Sequence, residues 1–113
     1  MRIRNFTPHD IRVRTLTGEF LTFPSEGNAR VVTPLDVELV GSVPIYTAKT
    51  PSLVGLPPFE KGTLVIVSIT VFFNSDREDL GTVSYINHAE DGSMYCRGLS
   101  CRKEYLHVLK ESL

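Results

Sequence analysis

Apolar and polar residues alternate along most of this chain, and the alternation has the period of a β-strand. Ile3, Asn5, Ile11 and Val13 alternate with Arg2, Arg4, Arg12 and Arg14. Residues 1–6 and 11–16 therefore read as an antiparallel hairpin around "NFTPHDI", residues 5–11. Pairing Asn5 with Ile11 and Ile3 with Val13 gathers the arginines on one face. "TLTGEFLTFP" adds a turn around Gly18 and a strand ended by Pro24, and "ARVVTP" is a short strand stopped by Pro34. "DVELVGSVPIYTAKT" reads as two strands broken at Gly41 and Ser42. "PSLVGLPPFEKG" holds three prolines and two glycines, the mark of an ordered irregular connection.

Residues 63–73, "TLVIVSITVFF", make the strongest predicted strand. Val65, Val67, Ile69 and Val71 form one apolar face; Leu64, Ile66 and Phe72 share the other with Ser68 and Thr70. Both faces need cover, which places this strand centrally. The two hydroxyls then need partners from backbone, water or a ligand, because an unpaired buried hydroxyl costs roughly 1–3 kcal/mol. "NSDREDLG" is a charged loop or one helical turn. Residues 82–100 read as a hairpin with Asp91-Gly92 placed for a type I′ turn. In the tail, residues 101–113, the period changes: Tyr105, Leu106, Leu109 and Leu113 share one helical stripe. The expected fold is mainly β, a compact barrel or sandwich of about seven to nine short strands with a short C-terminal helix. It is one domain, with a β core over residues 1–100 and a helical tail over 101–113.

Composition narrows the function classes. A net charge of −1 over 113 residues argues against a bulk nucleic-acid binder. No apolar run approaches the ~20 residues of a membrane span, and no secretory leader is visible. Cys96 and Cys101 stand on opposite faces of a continuous strand, a poor geometry for a bridge, so reduced thiols in a cytoplasmic setting are expected. Zinc held by Cys96, Cys101, His88 and His107 is disfavoured by the Cys-x4-Cys spacing. No phosphate loop or nucleophile elbow is present, and no cofactor is implied. His9 with Asp79 or Asp91 would suit acid–base chemistry only if the fold brings them together.

Several short motifs, in order, resemble an uncharacterised family of small phage and prophage proteins. They are Asn5, Thr7, Pro8 and His9 (with Phe6 in place of leucine), then "ARV" from Ala29, "VPI" from Val43 and "GLP" from Gly55. Gly62-Thr63, "IVS" from Ile66 and "RGL" from Arg97 complete the set. The resemblance covers about residues 3–99. "SYIN" stands where the family has Pro-Asp, and the helical tail is an addition. The resemblance implies a viral origin and a small β fold, with no established activity attached.

A ligand site follows from residue types. A loop tip has no packing need for an imidazole: either His9 is a structural histidine satisfied within its loop, or Asn5, Thr7 and His9 line a pocket whose anionic ligand is held by arginines such as Arg30 or Arg97. Guanidinium binds phosphate through a planar fork, and Ser68 is the hydroxyl placed to join them. The leading expectation is a non-enzymatic phage protein in the host cytoplasm that binds a small anionic, nucleotide-derived ligand, such as a host defence signal. The rivals are a phosphodiester hydrolase and a virion or host-protein adaptor. The tail and the open strand edges also point to a homo-oligomer.

Overall fold

A computed structural model describes residues 1–113. Its strands are β1 (Arg2–Asn5), β2 (Ile11–Arg14), β3 (Phe20–Phe23), β4 (Arg30–Val32), β5 (Leu35–Val40), β6 (Val43–Ala48), β7 (Ser52–Val54), β8 (Thr63–Ile66), β9 (Leu80–His88) and β10 (Met94–Cys101). Two helices join them, α1 (Ile69–Phe73) and α2 (Lys103–Glu111). Six strands make one sheet in the order β1-β8-β9-β10-β2-β3. Its two edges nearly meet, because Asn5 bridges Ser25 just beyond β3 and the Glu26 amide donates to the Asn5 carbonyl at 2.8 Å. The result is a nearly closed, barrel-like sheet. The pairs β4-β7 and β5-β6 lie outside it.

The expected β1-β2 hairpin does not form. β1 runs parallel to β8, with Arg2 opposite Thr63 and Asn5 opposite Ile66, while β2 runs parallel to β10 through Val13 and Cys96. The reason lies in β8, which is apolar on both faces and fully buried, and so needs a strand on each side. β1 and β9 supply them. The four arginines disperse as a consequence. Arg2 lies 3.7 Å from Glu60, and Arg4 lies 3.1 Å from Glu26 and stacks on Phe6. Arg12 donates to Ser93 and stacks on Phe20, whereas Arg14 has no ion pair.

The two faces of β8 open onto two cores. Val65 and Val67 pack with Phe6, Ala29, Val71 and Leu80; Leu64 and Ile66 pack with Ile11, Cys96, Tyr105 and Leu109. The period of two holds only to Val67. Ser68 then caps α1, its Oγ accepting from the Val71 amide at 3.4 Å, so residues 69–73 are helical rather than extended. β9 pairs with β8 only at Val65 and Ile66, which leaves the following residues without a ladder to continue. Ser68 is a favoured cap, and the turn it starts still buries Val71. Ser68 thus bonds backbone, and Thr70 is exposed instead of buried.

The β9-β10 hairpin forms as expected, with a different turn. Ala89 and Ser93 pair across Glu90, Asp91 and Gly92, and Gly92 has φ +85°, the geometry of a three-residue loop with a left-handed glycine. Close packing of the pair depends on Gly81, where a Cβ would sit 2.3 Å from the Ser100 carbonyl oxygen.

α2 closes one end of the barrel, beside the starts of β1 and β8. Tyr105 is fully buried; its hydroxyl accepts from the Gly62 amide at 3.0 Å and donates to the Thr63 carbonyl at 2.9 Å. The buried stripe is Tyr105, Val108 and Leu109, while Leu106 and Leu113 remain exposed. Arg102 fastens the helix start, donating to the carbonyls of Phe72, Ser75 and Arg77 and stacking 4.2 Å above Phe72. No helix is long and apolar enough to cross a membrane.

Candidate functional site: a cleft at the open end of the barrel

The other end of the barrel is open. There β1 and β8 finish and β2 and β10 begin, and a cleft of about 430 Å³ lies between their connecting loops. Its apolar walls include Ile11, Val67, Val83, Ile86, Met94 and Cys96. Thr7, His9, Asp10, Arg12, Ser68, Thr82 and Tyr95 bring polar groups to the same space. A largely apolar cavity with a few converging polar groups is the usual form of a small-ligand site.

The loop over the cleft is set by Asn5. This side chain is fully buried, and its Nδ2 donates to the carbonyls of His9 (2.8 Å) and Phe23 (2.9 Å). Its Oδ1 accepts from the Thr7 amide at 2.9 Å and the Thr7 hydroxyl at 2.6 Å. Both donors and both acceptor positions are thus used within the protein. Ser25 adds a clasp, its amide donating to Asp10 Oδ1 at 2.9 Å and its hydroxyl to the Thr7 carbonyl at 2.6 Å. Asn5 therefore positions the loop from behind and does not reach the cleft. The His9 carbonyl is tied down, but its imidazole is exposed and has no hydrogen-bond partner within the chain.

Of the expected ligand residues, the fold brings Thr7, His9 and Ser68 to this cleft. Arg30 lies on the β4-β7 pair, bonds its own Asn28 carbonyl at 3.3 Å and borders no concavity. Arg97 lines an adjoining hollow of about 450 Å³ with Arg14, Thr15, Leu16, Gly18, Asn87 and Tyr95. Tyr95 borders both spaces. The register explains the grouping. Val13 lies opposite Cys96 on the core side, so Arg12 and Arg14 share the outer face with Tyr95 and Arg97. The Phe20 ring meets Tyr95 edge-on at 5.5 Å and lies under the Arg12 guanidinium at 4.3 Å. The Arg14 and Arg97 guanidinium groups form no ion pair or hydrogen bond with the rest of the chain.

Tyr95 escaped the residue-type reasoning, and Arg12 and Arg14 were expected beside Arg2 and Arg4 rather than beside Tyr95 and Arg97, because their placement depends on the β2-β10 pairing. Their alternation was visible, but not the strand beside them.

His9 meets neither of its expected acid–base partners, since Asp79 and Asp91 both lie outside the cleft. Asp79 is fully buried and gripped bidentately by Arg77, at 3.0 and 2.7 Å, away from the cleft. That contact raises the Arg77 pKa further above its usual value. Asp91 sits exposed at the hairpin tip, where bonds from Ser93 and the nearby Arg12 charge hold its carboxyl below the usual range. The Cys96 thiol is pushed up by burial, which disfavours a nucleophilic thiolate at neutral pH. Cys96 and Cys101 are both free, and no three His, Cys, Asp or Glu side chains are grouped to hold a metal. Comparison with protein families, characterised proteins and solved structures finds no match.

Proposed function

We propose that this protein is a phage accessory protein that binds a small anionic, nucleotide-derived ligand at the open end of its barrel. It holds the ligand without altering it and acts in the host cytoplasm as a sink for a defence signal. The viral assignment rests on the resemblance of the ordered short motifs to those of phage and prophage proteins. The observation that carries the ligand class is the junction of the two concavities at Tyr95. An apolar cleft with a free imidazole suits a base and sugar, and the unpaired Arg14 and Arg97 beyond Tyr95 suit a phosphate.

Calorimetry and native mass spectrometry with a panel of mono-, di- and cyclic nucleotides test this reading. Heat denaturation of the complex should release the nucleotide intact. Recovery of a cleaved product would establish the hydrolase reading, and no binding by any nucleotide would leave an adaptor role. His9→Ala and Arg97→Ala should each weaken binding ten- to hundredfold, since a charge-assisted hydrogen bond contributes about 1.5–3 kcal/mol. Binding should also weaken with salt, because both arginines are exposed and screened over about 8–10 Å.

A further inference from the structure

The β5-β6 ribbon has an unusual relation to the rest of the molecule. Every residue of both strands is exposed, and neither strand contributes to the two cores. The register pairs Leu35 with Ala48, Val37 with Tyr46 and Leu39 with Pro44, so these six side chains share one face. That face is wholly apolar. The other face is mixed: Asp36, Glu38 and Thr47 share it with Val40, Val43 and Ile45, and Lys49 lies 3.2 Å from Asp36. On the apolar face Leu35 is 60%, Val37 54%, Leu39 69% and Tyr46 65% exposed. The ribbon helps extend the molecule to 63 × 37 × 22 Å, with a radius of gyration of 17.8 Å. A compact chain of this length would have about 13 Å.

A two-stranded ribbon is marginal alone, and an apolar sheet face needs a second layer. We infer that a second copy of this chain supplies that layer, the two ribbons packing face to face about a two-fold axis. The face carries no charge to select a charged partner, and an apolar ribbon of equal length and twist is what another copy presents. Such a contact is isologous, each patch meeting its own image. The face leaves on the order of 500 Å² uncovered per copy, so a pair removes about 1,000 Å² from water, the lower bound for a specific interface. α2 offers a smaller apolar face, because its buried stripe packs on its own barrel and Leu106 is the large hydrophobic it leaves exposed. This inference is independent of any ligand at the barrel mouth.

Sedimentation of the full chain should give twice its 12.6 kDa mass. The double variant Val37→Glu, Leu39→Glu should weaken the dimer at least a hundredfold, while Thr47→Lys on the opposite face leaves it intact. A measurement on the unaltered chain guards against a misfolded ribbon. Amides of residues 35–48 should exchange faster on dilution, and those of β8 should not. A monomer at tens of micromolar with concentration-independent exchange would overturn the inference. So would a dimer indifferent to the two glutamates, or one broken by Thr47→Lys.

Discussion

The two ends of the barrel receive polar groups in opposite ways. At the end closed by α2, the Tyr105 hydroxyl is buried and both accepts and donates, to Gly62 and Thr63. At the open end the His9 imidazole has no partner in the chain, although Asn5 beneath it has every hydrogen-bonding position filled. A buried polar group left unpaired is costly, so the closed end tolerates none. An exposed one costs nothing while water serves it, and remains free for a ligand. The difference separates residues that hold the fold from residues placed to bind.

Substitutions should divide along the same line. Tyr105→Ala removes a fully buried ring and leaves the Gly62 amide without its partner, so it should destabilise by about 3–5 kcal/mol. Thermal or denaturant unfolding measures this, and a loss below about 1 kcal/mol would mean that α2 does not seal the barrel. Asn5→Ala should cost about 2–3 kcal/mol, since several buried backbone groups lose their partner at once. Its unfolding should also be accompanied by faster amide exchange of Thr7.

Alkaline pH probes both ends of the barrel, through Cys96 in the cleft wall and Tyr105 on α2. Burial raises the thiols of Cys96 and Cys101 above the ordinary value of about 9, and the Tyr105 phenol above about 10. A raised folded value means that stability is complete below the unfolded value and is lost as pH rises through the folded one. The melting temperature should therefore be flat from neutrality to about pH 9 and fall beyond it. Cys96→Ala should reduce the slope of that fall, and an unchanged slope would contradict burial of the thiol.

Smaller effects complete the contrast. Tyr85 has φ +56° within β9 and is 79% exposed. A left-handed conformation costs a non-glycine residue roughly 1 kcal/mol, so Tyr85→Gly should leave stability unchanged or raise it by up to that amount. His9→Ala should shift stability by less than about 0.5 kcal/mol, as expected of an exposed side chain without internal contacts. A melting loss comparable to that of Asn5→Ala would make His9 a structural residue and remove it from the proposed site.

Much of this architecture is legible from local chemistry. Gly18 and Gly41 mark the turns of the β2-β3 and β5-β6 hairpins, Asp91-Gly92 marks the β9-β10 turn, and the altered period of the tail marks α2. The alternation in β8 also showed that Val65 and Leu64 point to different covered faces. These features depend on neighbours in sequence, whose geometry is fixed by bond lengths and by the periods of strand and helix. The partner of β1 was not legible, because a parallel pairing with β8 is chosen by which strand most needs cover on both sides. The bend at Ser68 was hidden for a related reason: Val67 and Val71 are buried whether the segment is extended or helical, and only the end of the β8-β9 ladder decides between them. Likewise "NFTPHDI" announced an unusual loop, but its division into an anchoring Asn5 and a free His9 required the carbonyl of Phe23, delivered from β3. The sequence by itself set the elements, their turns and the residue types available for binding. Which strands lie side by side, and hence which arginines meet Tyr95, was decided by tertiary structure, since burial rewards contacts between segments that no local period can specify.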